Sequence, residues 1–178
     1  MRYNVEDIED QLLATLVTAF TTGTPAALTV NIATHAGDVN PMMFQSPAYM
    51  EGFVSKLPFV FVQYNGRERT GSDSPAQINK HRLTFRFYVG AESLRAKKEA
   101  ARSAYAMLRT IYDEIHGHWI KGAVVATGLP SLGGTTITTT GFNPLGPFIE
   151  AGGRDEMLIV NLPEIVVYQT DYTVELVA

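Results

Sequence analysis

The run 82–117, RLTFRFYVGAESLRAKKEAARSAYAMLRTIYDEIHG, decides how the rest of the chain has to be arranged. Its opening alternates as a strand does: Leu83, Phe85, Phe87 and Val89 fall on one side, Arg82, Thr84, Arg86 and Tyr88 on the other. The period then changes. Ala101, Ala104, Tyr105, Leu108, Ile111, Tyr112 and Ile115 recur three or four apart, which gathers them on one helical face. Ser93 is placed to cap the amino end of that helix through its hydroxyl, and Gly117 to take the left-handed conformation that closes it. A strand with one apolar face, feeding a helix with one apolar stripe, is a packing unit that other elements must complete.

Upstream, 4–19 reads as a second helix. Asn4 is a good cap, Glu6 and Asp7 sit in a first turn that favours anions, and Ile8, Leu12, Leu16 and Phe20 form a stripe. The stretch TTGTP at 21–25 ends it. A strand is expected over 27–34, where Leu28, Val30 and Ile32 alternate. Turn residues dominate 35–47, and Ser46-Pro47 opens a short helical turn to 53. The aromatic and β-branched run PFVFVQYN at 58–65 is a strand, followed by a polar connection, 67–79, long enough for a flexible arm. Downstream, a short strand is expected over 119–126 and loop over 127–147, with a Thr-rich strand at 135–140. Strands at 157–160 and 165–177 close the chain, the last with Tyr168, Thr170, Tyr172, Val174 and Leu176 on one face.

With no repeat and no low-complexity linker, the 178 residues are expected to form one domain. Its class is α/β in the α+β sense: a single mixed or antiparallel sheet packed against two main helices. The expected core is Ile8, Leu12, Leu16, Phe59, Phe61, Phe85, Phe87, Tyr105, Leu108, Ile111 and Ile115.

Composition sets the bounds. A chain 46% hydrophobic and 18% charged has enough apolar residues for a sizeable core. No apolar run approaches the roughly 20 residues needed to span a bilayer. The start, MRYNVEDIEDQLL, carries acids where a secretory signal would be basic and then apolar, so an intracellular chain is expected. The absence of cysteine rules out disulfides and thiolate chemistry. The net charge of -4 hides a segregation. Residues 56–121 hold 12 of the 14 basic residues against 6 acids, a net +6; residues 1–55 and 122–178 each carry a net -5.

Catalytic and ligand signatures are mostly missing. Gly128, Gly133, Gly134 and Thr135 have the spacing of a phosphate loop, without its lysine or a following helix. His116 and His118 flank Gly117 and fit a helix end, which favours histidine, better than a metal site, which needs further ligands. His35 and Asp38 are a turn composition. None of the serines and threonines sits in a nucleophile elbow. No catalytic, metal or cofactor residue is therefore expected, nor an enzyme. The row Arg95, Lys97, Lys98, Arg102 and Arg109 could neutralise phosphates, but an acidic total and the lack of a reading motif favour a protein partner over nucleic acid. The residues expected to join one copy to the next are Arg67, Arg69, Arg95, Lys97, Lys98 and Arg102 on the basic side. Their acidic counterparts are Glu6, Asp7, Glu9 and Asp10.

The order assembled here is an acidic amino-terminal helix, a strand and loop, then PFVFVQYNGRERT. The helix AKKEAARSAYAMLRTIYDEIHG follows, and IVVYQTDYTVELV closes the chain. This resembles the Mu-like phage tail terminators, the subunits that cap the tail tube of contractile-tailed phages. The likeness runs from Val5 to Val177 and matches least over 127–147. It implies an α/β subunit in a homo-oligomeric ring, typically a hexamer, at the head-proximal end of the tail. The implied partners are copies of itself, the tail tube protein and the head–neck connector proteins, in a virion assembled in a bacterial cytoplasm. Two alternatives remain at this point: a head-completion or neck protein of similar fold, and a small-molecule enzyme with a site built from scattered residues.

Overall fold

The computed structural model describes residues 4–22, 30–34, 46, 48, 57–71, 80–93, 95, 97–120, 144–158 and 164–177. Its elements in chain order are α1 (Val5–Thr22), β1 (Asn31–Thr34), β2 (Phe59–Gly71), β3 (Lys80–Glu92), α2 (Lys97–Ile115), β4 (Ile149–Leu158) and β5 (Ile165–Val177). The strands form one sheet in the order β1-β2-β3-β5-β4, with β1 parallel to β2 and the other pairings antiparallel. Both helices pack on the same side: α1 over β1 and β2, α2 over β3 and β5, each touching the other. The fold is α+β, as the periodicities require.

β3 is the strand everything else flanks. It pairs with β5 without a slip from Lys80↔Val177 to Glu92↔Ile165. Its pairing with β2 slips twice, between Tyr64 and Gly66 and between Arg69 and Gly71; Gly66 takes a φ of 120° at the first bulge. A third irregularity separates Ala151 from Glu156 on β4.

Alternation sends one set of side chains to the helices. Val60 and Val62, then Leu83, Phe85, Phe87 and Val89, then Val166, Tyr172, Val174 and Leu176 join one cluster with Ile8, Leu12, Leu16, Ala104, Leu108, Ile111 and Ile115. Edge-to-face ring contacts fix its centre, with Phe87 and Tyr172 at 5.3 Å and Phe85 and Phe148 at 6.0 Å. The opposite face is buried too at one end. There Phe59 and Phe61 stack at 4.3 Å. Gly90 lies opposite Phe59, and a Cβ at that position would collide with the Phe59 ring, so glycine leaves the space the ring occupies.

The caps form as their residue types dictate. Asn4 Oδ1 accepts the Glu6 N–H at the start of α1, and Ser93 Oγ accepts the Arg95 N–H while donating to Glu99 ahead of α2. Gly117 closes α2 with a φ of 78°.

Several expectations need correction. The polar connection expected at 67–79 is strand through Gly71, because β3 already extends to Lys80 and offers the partner; 72–79 lie outside the described residues. β4 begins at Ile149 rather than at 157, its AGGRDE segment being absorbed by the irregularity opposite β5. The buried stripe of α2 is narrower than its period suggests. Tyr105 and Tyr112 are 54% and 42% exposed, and Ala101 is half-buried, whereas Ala100 and Met107 are buried. A helix lying flat on a sheet buries only the line nearest the strands, and the tyrosines stand at its flank. β1 covers Asn31–Thr34 of the strand expected over 27–34, of which 27–29 lie outside the described residues, and Trp119 makes a single bridge. The turn at 46–53 (apart from 46 and 48), the strands at 121–126 and 135–140, and the glycine loop at 128–135 lie outside the described residues.

Two substitutions check this packing. Leu108→Ala, at a position 5% exposed, is expected to cost about 2–5 kcal/mol in denaturant unfolding, against about 1 kcal/mol or less for Tyr105→Ala. Thr170 is 3% exposed and its hydroxyl makes no hydrogen bond among the described residues. Thr170→Val is therefore expected to raise stability by about 1 kcal/mol, and a loss of stability in the same assay would reveal a partner for that hydroxyl.

Candidate assembly interface

The segregated charges meet first within the chain. On the sheet face away from the helices, the unslipped β3–β5 register sets Arg86 opposite Asp171 and Arg82 opposite Glu175. Arg86 holds Asp171 through two 2.7 Å bonds, Nε to Oδ1 and Nη2 to Oδ2, with both side chains about four-fifths buried (21% and 23% exposed). Those bonds push the guanidinium further above its already high pKa. Arg82 reaches Glu175 at 2.8 Å and Glu68 at 3.7 Å in a more exposed setting. Burial raises the Tyr88 phenol, whose O–H donates to Gln63 at 3.2 Å. Two cations of the basic middle segment are thus consumed by acids of the carboxyl-terminal segment.

Among the four acids of α1, Asp7 accepts a bond from the Asn4 amide at 3.3 Å, and Glu9 is turned toward the sheet. Glu9 Oε1 accepts the Tyr64 N–H at 2.9 Å, at the residue that opens the first β2 bulge. Burial raises the Glu9 pKa, the Tyr64 bond opposes the rise, and the charges of Asp10 and Glu6 add to it. Glu6, Asp7 and Asp10 remain exposed. On the basic side Arg67, Arg69, Arg95, Lys97, Lys98 and Arg102 are all exposed, the first two on β2 and the rest at the start of α2.

The exposed helix charges lie at opposite ends of the helix layer. Glu9 marks the level of Tyr64, which sits opposite Phe85. Phe85 packs on Phe148, and Phe148 exchanges backbone bonds with Gly117 and His118 just past the end of α2. The first turns of α1 therefore share an end with the last turn of α2. At the other end Ser93 N donates to Glu164 O, where α2 is about to start. Helices of 18 and 19 residues are about 27 Å long, so Glu6, Asp7 and Asp10 are separated from Lys97 and Lys98 by most of that length. The structure does not bring these two sets together in one copy.

Residues that the periodicity placed in the core also appear at the surface. Tyr105 and Tyr112, with Arg109, Asp113, Glu150 and Tyr172, line a groove of about 400 Å³ between α2 and the β4–β5 side of the sheet. Tyr168 donates its hydroxyl proton to Tyr105 at 3.0 Å, and the Tyr112 ring stacks on His116 at 4.5 Å. Two tyrosines among alanines on a stripe already filled by Leu108 and Ile111 were the available signal. Among the described residues no group of three or more His, Asp or Glu is placed to hold a metal, and no helix is long and apolar enough to cross a membrane.

No family model matches the sequence, and no curated protein matches it.

The Glu9 contact gives a pH test. A carboxyl whose folded pKa lies above its unfolded value binds protons more readily when folded. Its contribution is present below the unfolded pKa and lost as pH rises through the folded one. Glu9→Gln keeps an acceptor for Tyr64 without the charge. At neutral pH the variant is expected to be at least as stable as the parent in urea unfolding, with any advantage fading as pH falls below the carboxylate range. A variant clearly weaker at neutral pH would show that the charge itself strengthens the Tyr64 bond.

Proposed function

We propose that this chain is a structural subunit, not an enzyme, and that copies of it form a homo-hexameric ring capping the tail tube of a contractile-tailed phage. The ring would sit at the head-proximal end, stop tube growth and present a surface to the head–neck connector proteins. The supporting observation is the division of exposed helix charge. Glu6, Asp7 and Asp10 at one end of the helix layer, and Arg95, Lys97, Lys98 and Arg102 at the other, can meet only between copies. A contact that joins two different surfaces closes into a ring when its rotation allows. The element order that resembles tail terminators supports the same reading, as does the α+β architecture with both helices on one face.

Exposed ion pairs contribute roughly 0–1 kcal/mol each, so charge here sets orientation and apolar contacts supply most of the affinity. Native mass measurement is expected to find a ring of about six copies, and the purified ring is expected to stop elongation of a polymerising tube. Binding to a portal-side protein with no effect on the tube would point to a neck component instead. Lys97→Glu with Lys98→Glu is expected to weaken assembly, more strongly at low salt where the Debye length is longest. A double reversal that assembles like the parent would show that the charge division plays no part.

A further inference from the structure

The groove beside α2 supplies what charge alone lacks. It is walled by aromatic rings, with Tyr105 and Tyr112 54% and 42% exposed, and floored by Leu108 and Tyr172. Its charges come from Asp113, Glu150 and Arg109, of which Arg109 already pairs with Asp113 at 3.6 Å. The helix adds to the negative side. The last turn of α2 holds no basic residue and does hold Asp113 and Glu114, against the preference of a helix carboxyl end for cations. A site with aromatic faces, surplus carboxylate and a helix carboxyl end is suited to an ammonium or guanidinium group carried by a partner. Cations of that kind stand exposed just ahead of the same helix and in its first turns: Arg95, Lys97, Lys98 and Arg102.

We infer that the groove at the carboxyl-terminal half of α2 receives the basic start of α2 from the adjacent copy, with Tyr105 and Tyr112 as the anchoring side chains. The inference rests on the ring reading and names its contact. Lys97 and Lys98 lie about two to four helical turns ahead of the two tyrosines, so a joint between the basic start and the groove runs head to tail. Tyrosine suits such a joint, since it offers a large face at little rotamer cost and a cation can rest on its ring.

The chain has no cysteine, so an introduced one reports a single position. One chain carries Ala106→Cys beside the groove, another Lys97→Cys at the basic turn; both sites are exposed. The two are mixed, allowed to assemble and treated with a short bismaleimide. Cross-linked pairs are expected in the mixture and not in either chain alone. In the parent background, Tyr105→Ala with Tyr112→Ala is expected to weaken assembly about tenfold or more, while the melting of the isolated subunit changes little. Rings of native mass without mixed cross-links would overturn this contact and leave the ring reading standing. Cross-links within either single-cysteine sample would show a like-with-like joint and overturn it as well. A parent chain that stays monomeric at every concentration, with and without tube protein, would overturn both.

Discussion

The unslipped pairing of β3 with β5 is the constraint from which the other features follow. It runs the whole length of both thirteen-residue strands, and alternation makes it all or nothing. A slip of one residue would carry Phe85 and Phe87 out of the helix-side core and drive Arg86 into it. The opposite face makes that error more costly still, because Arg86 and Asp171 meet edge to edge only in this register. An ion pair that buried is poor evidence of added stability, since removing two charges from water offsets much of their attraction. Its value here is in specifying alignment: any other register leaves a guanidinium and a carboxylate poorly solvated and unmatched.

That alignment also changes the meaning of the charge pattern. Read along the chain, a net +6 middle between two -5 flanks suggests one surface waiting for another. In the folded chain, Arg82 and Arg86 of the middle face Glu175 and Asp171 of the carboxyl-terminal segment, and Glu9 is turned inward to a backbone amide. What remains outward lies on the helices and on the β2 margin, where Arg67, Glu68 and Arg69 are exposed. Folding thus sorts a single sequence-level feature into two roles, one holding strand register and the other held at the surface.

Most of the architecture was legible because it rests on period. Ile165–Val177, both helices, the face carrying Leu83, Phe85, Phe87 and Val89, and the caps at Asn4, Ser93 and Gly117 all follow from local chemistry. What escaped depended on neighbours. Arg67–Gly71 carries no strand signature of its own and is extended because Lys80–Thr84 stands beside it. The first half of β4 hides behind two glycines and a charge run, and becomes strand where β5 supplies a ladder. Tyr105 and Tyr112 satisfy the helical period as well as Leu108 does; only the flatness of the sheet beneath decides that they stay outside. The acids and bases of the candidate interface could be named from sequence, but their placement at opposite ends needed the antiparallel run of α1 and α2.

The bulges carry a consequence for how the molecule tolerates crowding. Past Val62, β2 has no strand on its β1 side among the described residues, and that margin slips at Tyr64/Gly66 and again at Arg69/Gly71. Glu9 occupies the Tyr64 amide there, and the margin carries Arg67, Glu68 and Arg69. On the far side of the sheet, β4 breaks its own ladder between Ala151 and Glu156. A foreign strand laid along either margin would find its amides and carbonyls out of step within a few residues, and charge where it needs a flat ribbon. Fibre growth, the ordinary hazard of an open sheet made in many copies at one place, is thereby discouraged by geometry. The same irregularities that bend β2 and β4 thus leave neither margin a long, regular edge for another strand to extend.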